Sequence, residues 1–269
     1  MPIQILGLIA GNGQFPILFA RAARAQNIRV IAAAVQGDTS WLLRPCVNKL
    51  QWFRVGELKK LFAYFKSEGV QQVIMAGQVN PNNLFAEKLQ LDEEFEKLYH
   101  ALKDRKADTI FSAIAEKLKE QGMELLDSTI LLKDYLAPKG TLTRRGPTVS
   151  ELADVEFGKT IAKLMGGIDV GQTVVVKEKA IVAIEAMEGT DRTILRGGQI
   201  AQKGAVIIKM SKPKQDDRFD VPVIGPRTIE NMIKSKAGCL AIEAEKTLII
   251  DRPACIKLAD KAGICIVAA

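Results

Sequence analysis

An α/β fold in two parts is predicted, a parallel-sheet domain followed by a second α/β domain with a mixed sheet. Three observations predict it. Short apolar runs alternate with segments of helical periodicity, the early runs end in glycine turns, and the pattern restarts after a Pro/Gly/basic stretch near residue 140. Strands alternating with helices demand a parallel sheet with crossover connections. The chain has 269 residues, 48% of them hydrophobic and 26% charged, enough for two modest cores. The boundaries expected are 1–137 for the first domain, 138–149 for a linker and 150–269 for the second domain.

The elements follow in order. Ile3 to Ala10 reads as a strand ending in Gly11-Asn12-Gly13, and Phe15 to Gln26 as a helix with Pro16 in its first turn, where a missing N–H costs nothing. Arg29 to Val35 is a second strand ending at Gly37-Asp38. Glu57 to Ser67 is amphipathic, and Val73 to Ala76 is a third strand ending at Gly77-Gln78. Parallel sheets bind ligands beyond the carboxyl ends of their strands, which is where Gly11 to Gln14 and Gly77 to Asn80 would lie. A dinucleotide fingerprint starting at Gly11 would need glycine or alanine at position 16, and Pro16 stands there. An anion at the free N–H groups of the helix fits better than a nicotinamide cofactor, with a plain structural turn as the third reading. Asp92 to Lys119 reads as one or two surface helices, broken near Asp104, Arg105 and Asp108, and holds the lone histidine, His100.

In the second half, Ser150 to Met165 is helix-like and ends at Gly166-Gly167. Val174 to Val176 and Ala180 to Ala186 form a strand pair around Lys177 to Lys179. Glu188-Gly-Thr-Asp191 leads into a helix expected to stop at Gly197-Gly198, and Ala205 to Met210 is a further strand. Helix Thr228 to Lys236, strand Thr247 to Ile250, helix Ala254 to Ala262 and strand Ile264 to Val267 complete the chain.

Between the strand at 205–210 and the helix at 228 runs KPKQDDRFDVPVIGPRT, Lys212 to Thr228. Pro213, Pro222 and Pro226 exclude both helix interior and central strand, so this is a shaped loop. Asp216, Asp217 and Asp220 offer hard oxygen ligands of the kind Mg²⁺ accepts, while Lys212, Lys214, Arg218 and Arg227 suit phosphate oxygens. The same charges would also pair with one another in a solvated turn. Thr190 or Asp191 in the EGTD segment suits a helix cap; Glu188 and Asp191 could equally supply further carboxylates.

The net charge of +7 favours an anionic partner, but only 6% of residues are aromatic and no basic stripe is concentrated, so nucleic acid is the least supported. Cys46, Cys239, Cys255 and Cys265 lie far apart and read as buried, reduced thiols. The N-terminus lacks the basic flank and cleavage site of a signal peptide, and no apolar run is long enough to span a bilayer. A cytoplasmic protein is expected, with peripheral contact to an anionic inner-membrane surface left open.

GLIAGNGQFP at 7–16, AGQV at 76–79, DVGQ at 169–172, AIEAMEGTD at 183–191 and the 212–228 loop together resemble the I-type UDP-2,3-diacylglucosamine pyrophosphatases of lipid A synthesis. The resemblance spans nearly the whole chain. It implies a Rossmann-like N-terminal domain, a homodimer, and Mg²⁺-dependent hydrolysis of UDP-2,3-diacylglucosamine to UMP and 2,3-diacylglucosamine 1-phosphate, with water attacking the α-phosphorus. The family's essential aspartate lies in an R-x-D-x-P context, matched by Arg218, Asp220 and Pro222. The resemblance therefore nominates Asp220, Arg218 and Lys212 for catalysis and Asp220, with Asp191 and Glu188, for metal. For substrate it nominates Gly11, Asn12, Gly13, Gln14, Gly77, Gln78, Gln172, Gly189, Thr190 and Gln215. Asn12 stands where members of the family can have glycine, which touches only the fine contacts of that turn. With one histidine, a two-metal site of the His-rich kind is excluded, and metal chemistry must rest on carboxylates, which suits Mg²⁺ or Mn²⁺. The competing functions are a nicotinamide-dependent oxidoreductase, opposed by Pro16, and a non-catalytic nucleotide or lipid binder.

Overall fold

The computed structural model describes residues 3–80, 91–104 and 106–269; of the break expected near Asp104 to Asp108, Arg105 lies outside them. Two compact units divide the chain. The first comprises the chain to Lys133 together with Asp216–Asp220, and the second comprises Asp134–Gln215 and Val221–Ala269.

In the first unit, β1 (Ile5–Ala10), β2 (Arg29–Val35), β3 (Lys49–Phe53), β4 (Gln72–Ala76) and β5 (Glu124–Leu125) form one parallel sheet in the order β3-β2-β1-β4-β5. The apolar runs of β1, β2 and β4 are continuous because a parallel sheet is covered on both faces. Helices α1 (Phe15–Ala25), α2 (Leu58–Ser67), α3 (Glu93–Ala101) and α4 (Ala107–Glu120) supply that cover. Phe65, Ile31, Val73 and Leu118 lie fully buried in one cluster, and Phe219 from the distant 216–220 segment packs against it. The strand order reverses between β1 and β4, which puts the ligand-binding crevice of such a sheet at their carboxyl ends. β3 escapes the periodicity reading because KLQWF alternates in burial as an edge strand does. The expected Rossmann-like arrangement is the one observed.

In the second unit a six-stranded sheet runs β6-β13-β11-β9-β7-β8, with β6 (Gly140–Thr141), β7 (Thr173–Lys177), β8 (Ala180–Ile184), β9 (Val206–Lys209), β11 (Cys239–Ile242) and β13 (Cys265–Ala268). Neighbours β9, β11 and β13 are parallel; β6, β7 and β8 join antiparallel, so the sheet is mixed. Strands β10 (Val223–Ile224) and β12 (Leu248–Ile249) pair separately. Helices α5 (Val149–Gly167), α6 (Thr190–Ala201), α7 (Pro226–Lys234) and α8 (Arg252–Ala262) complete the unit. Within the stretch expected as a linker, Gly140–Thr141 pairs with β13 as β6, and Thr148 opens α5 with a capping box to Glu151.

Helix α6 does not stop at Gly197-Gly198 but runs through both to Ala201. The reason is packing rather than termination. A Cβ on Gly197 would sit 2.7 Å from Val175, and one on Gly198 2.1 Å from the Ser235 side chain, so glycine lets the helix seat against its neighbours.

The β7–β8 turn needs left-handed backbone at two residues that are not glycine, Glu178 (φ 52°) and Lys179 (φ 58°). The buried carboxylate of Asp154 on α5 accepts both of their amides, at 3.0 and 2.6 Å. We expect Asp154→Ala to destabilise the chain by about 2 kcal/mol, as two amides lose their acceptor and the strained turn loses its tether. Chemical denaturation would measure this, and an unchanged midpoint would contradict it.

Candidate functional site

The first unit gathers its predicted residues where the strand order reverses. The amide of Gly11 donates to Ala76 O at 2.8 Å, that of Asn12 to Gln78 O at 2.7 Å, and that of Gln78 back to Asn12 O at 3.3 Å. The two glycine turns are thus stitched together. Only glycine fits at their contact: a Cβ on Gly11 would lie 2.6 Å from Gln78 O, and one on Gly77 (φ +85°) 2.4 Å from Asn12 O. Gly13 (φ +91°) has open space around it, and Asn12, Gly13 and Gln14 are exposed. The first turn of α1 carries no acidic residue and no side-chain cap, so its amides are available to an anion. Pro16 lines the same contact, its Cγ 3.0 Å from the Cβ position of Gly77, and takes the space that a dinucleotide fingerprint keeps for close packing of helix on strand.

The turn at Asp216–Asp220 belongs to this unit. Asp216 takes Arg218 in a two-pronged ion pair, Nε to Oδ1 at 2.9 Å and Nη2 to Oδ2 at 2.7 Å, and its backbone carbonyl accepts the amides of Phe219 and Asp220. Arg218 holds the Asp216 carboxyl below the ordinary range. Phe219 stacks on Phe111 with centroids 5.6 Å apart, and Ser128 donates to Asp217 O through both its amide (3.0 Å) and its hydroxyl (2.8 Å). Asp220, half-buried, is positioned by this scaffold.

In the second unit Lys212, nearly buried, donates through Nζ to Asp169 Oδ1 at 2.5 Å, and its amide donates to Gln215 Oε1 at 2.6 Å. Gln172 accepts the Met210 amide through its carbonyl at 3.0 Å, which ties the DVGQ segment to the end of β9. Thr190 is a hub: its hydroxyl donates to Glu185 Oε1 (2.9 Å) and accepts from Lys209 Nζ (2.7 Å). Gly189 caps α6 with φ +81°. Glu188 and Asp191 are each committed to an arginine, Glu188 to Arg196 at 2.6 Å and Asp191 to Arg227 at 2.8 Å.

Several functional candidates escape sequence reasoning. Lys209 is a buried lysine in an otherwise apolar strand, a pattern break visible in VIIK. Glu243, just past β11, accepts from Lys163 Nζ (2.6 Å) and from the amide and hydroxyl of Ser211 (3.0 and 2.7 Å). Asp38, buried just past β2, accepts the Asn80 amide at 3.1 Å. His100 is exposed on α3. Cys239, Cys255 and Cys265 are buried as expected, but Cys46 is only partly so because it ends an exposed 3-10 turn.

Three ion-paired carboxylates predict an acid limit to stability. Burial works to raise Glu243, Glu188 and Glu151, but Lys163 and Ser211, Arg196, and Arg145 outweigh it and hold all three below the ordinary 4.5. A depressed folded value means that the unfolded chain takes up protons first. Stability is then fully present above about pH 4.5 and lost as pH falls through the folded values. Thermal melts between pH 3 and 6 should show the midpoint falling with acid below that point; a midpoint that rises there would contradict the assignment.

The comparisons bear on this geometry. A family model described as the LpxI N-terminal domain matches residues 5–135, and one described as the LpxI C-terminal domain matches residues 138–267. The chain belongs to the LpxI family. A relative from Caulobacter vibrioides, named UDP-2,3-diacylglucosamine pyrophosphatase LpxI, is 29% identical over 272 residues, which are 96% of this chain and 95% of that one. Among solved structures, the ADP complex of N5-carboxyaminoimidazole ribonucleotide synthetase is 14% identical with a TM-score of 0.28, over 65% of this chain and 32% of that one. The biotin carboxylase domain of Hydrogenobacter thermophilus 2-oxoglutarate carboxylase is 14% identical with a TM-score of 0.29, over 75% and 42%. This chain thus spans less than half of either solved chain.

The LpxI-family turn at Arg218, Asp220 and Pro222 offers a hard carboxylate oxygen of the kind Mg²⁺ or Mn²⁺ accepts. Glu188 and Asp191 would each have to leave an arginine to reach a cation. Among the described residues no group of three or more His, Cys, Asp or Glu is gathered to hold a metal. The donor set therefore fits Mg²⁺ in its usual manner, through one or two carboxylates with phosphate oxygens and water, and not an all-protein cage.

Proposed function

We propose that this chain hydrolyses the diphosphate of UDP-2,3-diacylglucosamine to UMP and 2,3-diacylglucosamine 1-phosphate, a step of lipid A synthesis. The observation that carries the reading is the buttressed turn of Arg218 and Asp220 in a chain of the LpxI family whose curated relative bears that activity in its name. Water attacks the α-phosphorus. Its oxygen bonds to that phosphorus, the bond from the α-phosphorus to the bridging oxygen breaks, and the acylated sugar phosphate leaves.

Asp220 takes the proton of the attacking water or holds a divalent cation, and Arg218 and Lys212 steady phosphate oxygens against the charge that develops. Arg218 is suited to this because Asp216 fixes its guanidinium in a two-pronged pair and thereby lowers the cost of ordering it. Mg²⁺, when bound, would neutralise diphosphate charge, with Asp220 as its protein ligand. The free amides at the start of α1 and the exposed residues Asn12, Gly13 and Gln14 suit a further phosphate contact.

No described helix is long and apolar enough to cross a membrane, and the net charge of +7 suits a lipid-linked substrate presented at an anionic inner-membrane surface from the cytoplasmic side. A homodimer is part of the same reading. The test is incubation of the purified chain with UDP-2,3-diacylglucosamine and Mg²⁺, followed by phosphorus NMR. UMP should accumulate, chelation with EDTA should stop it, and added Mg²⁺ should restore it. Absence of UMP under all these conditions would leave a non-catalytic binder in its place.

A further inference from the structure

Helix α8 presents a basic face that the proposed chemistry does not use. A hollow of about 640 Å³ runs along it, lined by Arg144, Arg252, Ile256, Lys257, Asp260 and Lys261. The residue pattern of the helix creates it. Cys255 and Ala259 are buried in the core of the second unit, which turns Pro253, Lys257, Asp260 and Lys261 to the opposite side. Lys257 and Lys261 are exposed.

Both ends of the hollow are held. Arg252 Nη2 donates to Asp134 O at 2.8 Å and to Leu136 O at 2.7 Å, which fixes that guanidinium at the start of the helix. At the far end Asp260 Oδ1 accepts the Arg144 amide at 2.8 Å, and Asp260 Oδ2 lies 3.6 Å from Arg144 Nε. The backbone at Arg144 is thus pinned to α8 while its side chain stays 92% exposed. Four cations therefore face one carboxylate that is itself committed. Such a face repels a second copy of itself. None of the described lining residues is aromatic, so the hollow offers no platform for a base. Pro253 and Ile256 put apolar surface among the cations, whose own stems are apolar. A surface helix with cations around an apolar strip matches the headgroup layer of an anionic bilayer, where phosphates meet hydrocarbon.

We propose that the outer face of α8, together with Arg144, is a docking surface for the phosphate headgroups of acidic phospholipids. It holds the second unit against the bilayer from which a lipid-linked substrate is drawn. The choice of a bilayer as partner rests on the glycolipid reading above; the anion-binding face rests on its charge and shape alone.

Flotation of the purified full chain with vesicles tests this without reference to turnover. The chain should float with vesicles of phosphatidylcholine and phosphatidylglycerol, not with phosphatidylcholine alone, and high salt should release it. Lys257→Gln combined with Lys261→Gln should lower the partition coefficient by roughly twentyfold, at about fivefold for each basic residue lost near the surface. Lys203→Gln with Lys234→Gln, which removes the same charge from exposed positions on other helices and turns of the second unit, should leave it within about twofold. Hydrolysis by the α8 double variant should fall for substrate embedded in acidic vesicles and stay unchanged for substrate in neutral detergent micelles. Equal flotation of wild type and the α8 variant, or equal losses in the two double variants, overturns the docking face even where turnover in micelles is normal. Binding to soluble polyglutamate without binding to acidic vesicles would make the face a site for an acidic protein and would likewise overturn the proposal. Conversely, flotation that depends on Lys257 and Lys261, in a chain that yields no UMP in micelles or vesicles, upholds the docking face and overturns the hydrolase reading.

Discussion

Asp220→Ala should reduce kcat for UDP-2,3-diacylglucosamine hydrolysis by about a thousandfold or more while leaving the KM within a few-fold. General acid–base assistance is worth about 10² to 10⁴, and a metal ligand lost from the same position would add to that. The fold should tolerate the change. The turn that carries Asp220 is held by other groups: the backbone carbonyl of Asp216, the Asp216–Arg218 pair, the Phe219–Phe111 stack and the two bonds from Ser128 to Asp217 O. A melting temperature close to wild type would separate lost chemistry from lost structure. Near-normal turnover would remove Asp220 from the mechanism.

Lys212→Met should cost both activity and stability. The lysine and its partner Asp169 have side chains only 9% and 14% exposed, and the second oxygen of Asp169 is buried without a hydrogen bond. Removing the ammonium leaves that carboxylate uncompensated, at a cost of about 3 kcal/mol, and, on the proposed role of Lys212 at a phosphate oxygen, should lower kcat/KM by about a hundredfold. A second change distinguishes the two losses. Asp169→Asn in the Lys212→Met background should recover most of the stability, because the stranded charge is gone, and none of the activity. Joint recovery would mean that Lys212 serves only to neutralise Asp169, and stability unaffected by Lys212→Met would mean that the pair is not held as described.

Much of the scaffold is legible in the chain because its signals are local. The apolar runs of β1, β2 and β4, the glycine turns behind them and Pro16 in the first turn of α1 are each read from fewer than about ten neighbouring residues. What is not legible depends on partners far off in sequence. Gly197 and Gly198 look like a helix stop, and only Val175 and Ser235 explain why they are a packing surface instead. Strand β11 hides between a helix and a turn, with nothing in CLAI to separate it from either.

The site divides in the same way. The turn at Arg218 and Asp220 is singled out by the resemblance of its motif to the family, but its assignment to the first unit rests on the contacts of the turn with Phe111 and Ser128, about a hundred positions away in sequence. Equal candidates on composition, Asp216 and Asp220 part company once Arg218 is seen to claim the first. Glu188 and Asp191, attractive as metal ligands, are found paired with Arg196 and Arg227, since a carboxylate is as useful to a nearby arginine as to a cation. Lys209, the buried lysine that meets Thr190, was visible as a break in an apolar strand, but its partner was not.

The position of bond cleavage tests the central claim most directly. Turnover of UDP-2,3-diacylglucosamine in ¹⁸O-labelled water, read by mass spectrometry of both products, should place one heavy oxygen in UMP and none in the sugar 1-phosphate, the outcome that the proposed attack on the α-phosphorus requires. Label in 2,3-diacylglucosamine 1-phosphate would contradict that attack, and failure to form UMP at all would contradict the hydrolase assignment itself.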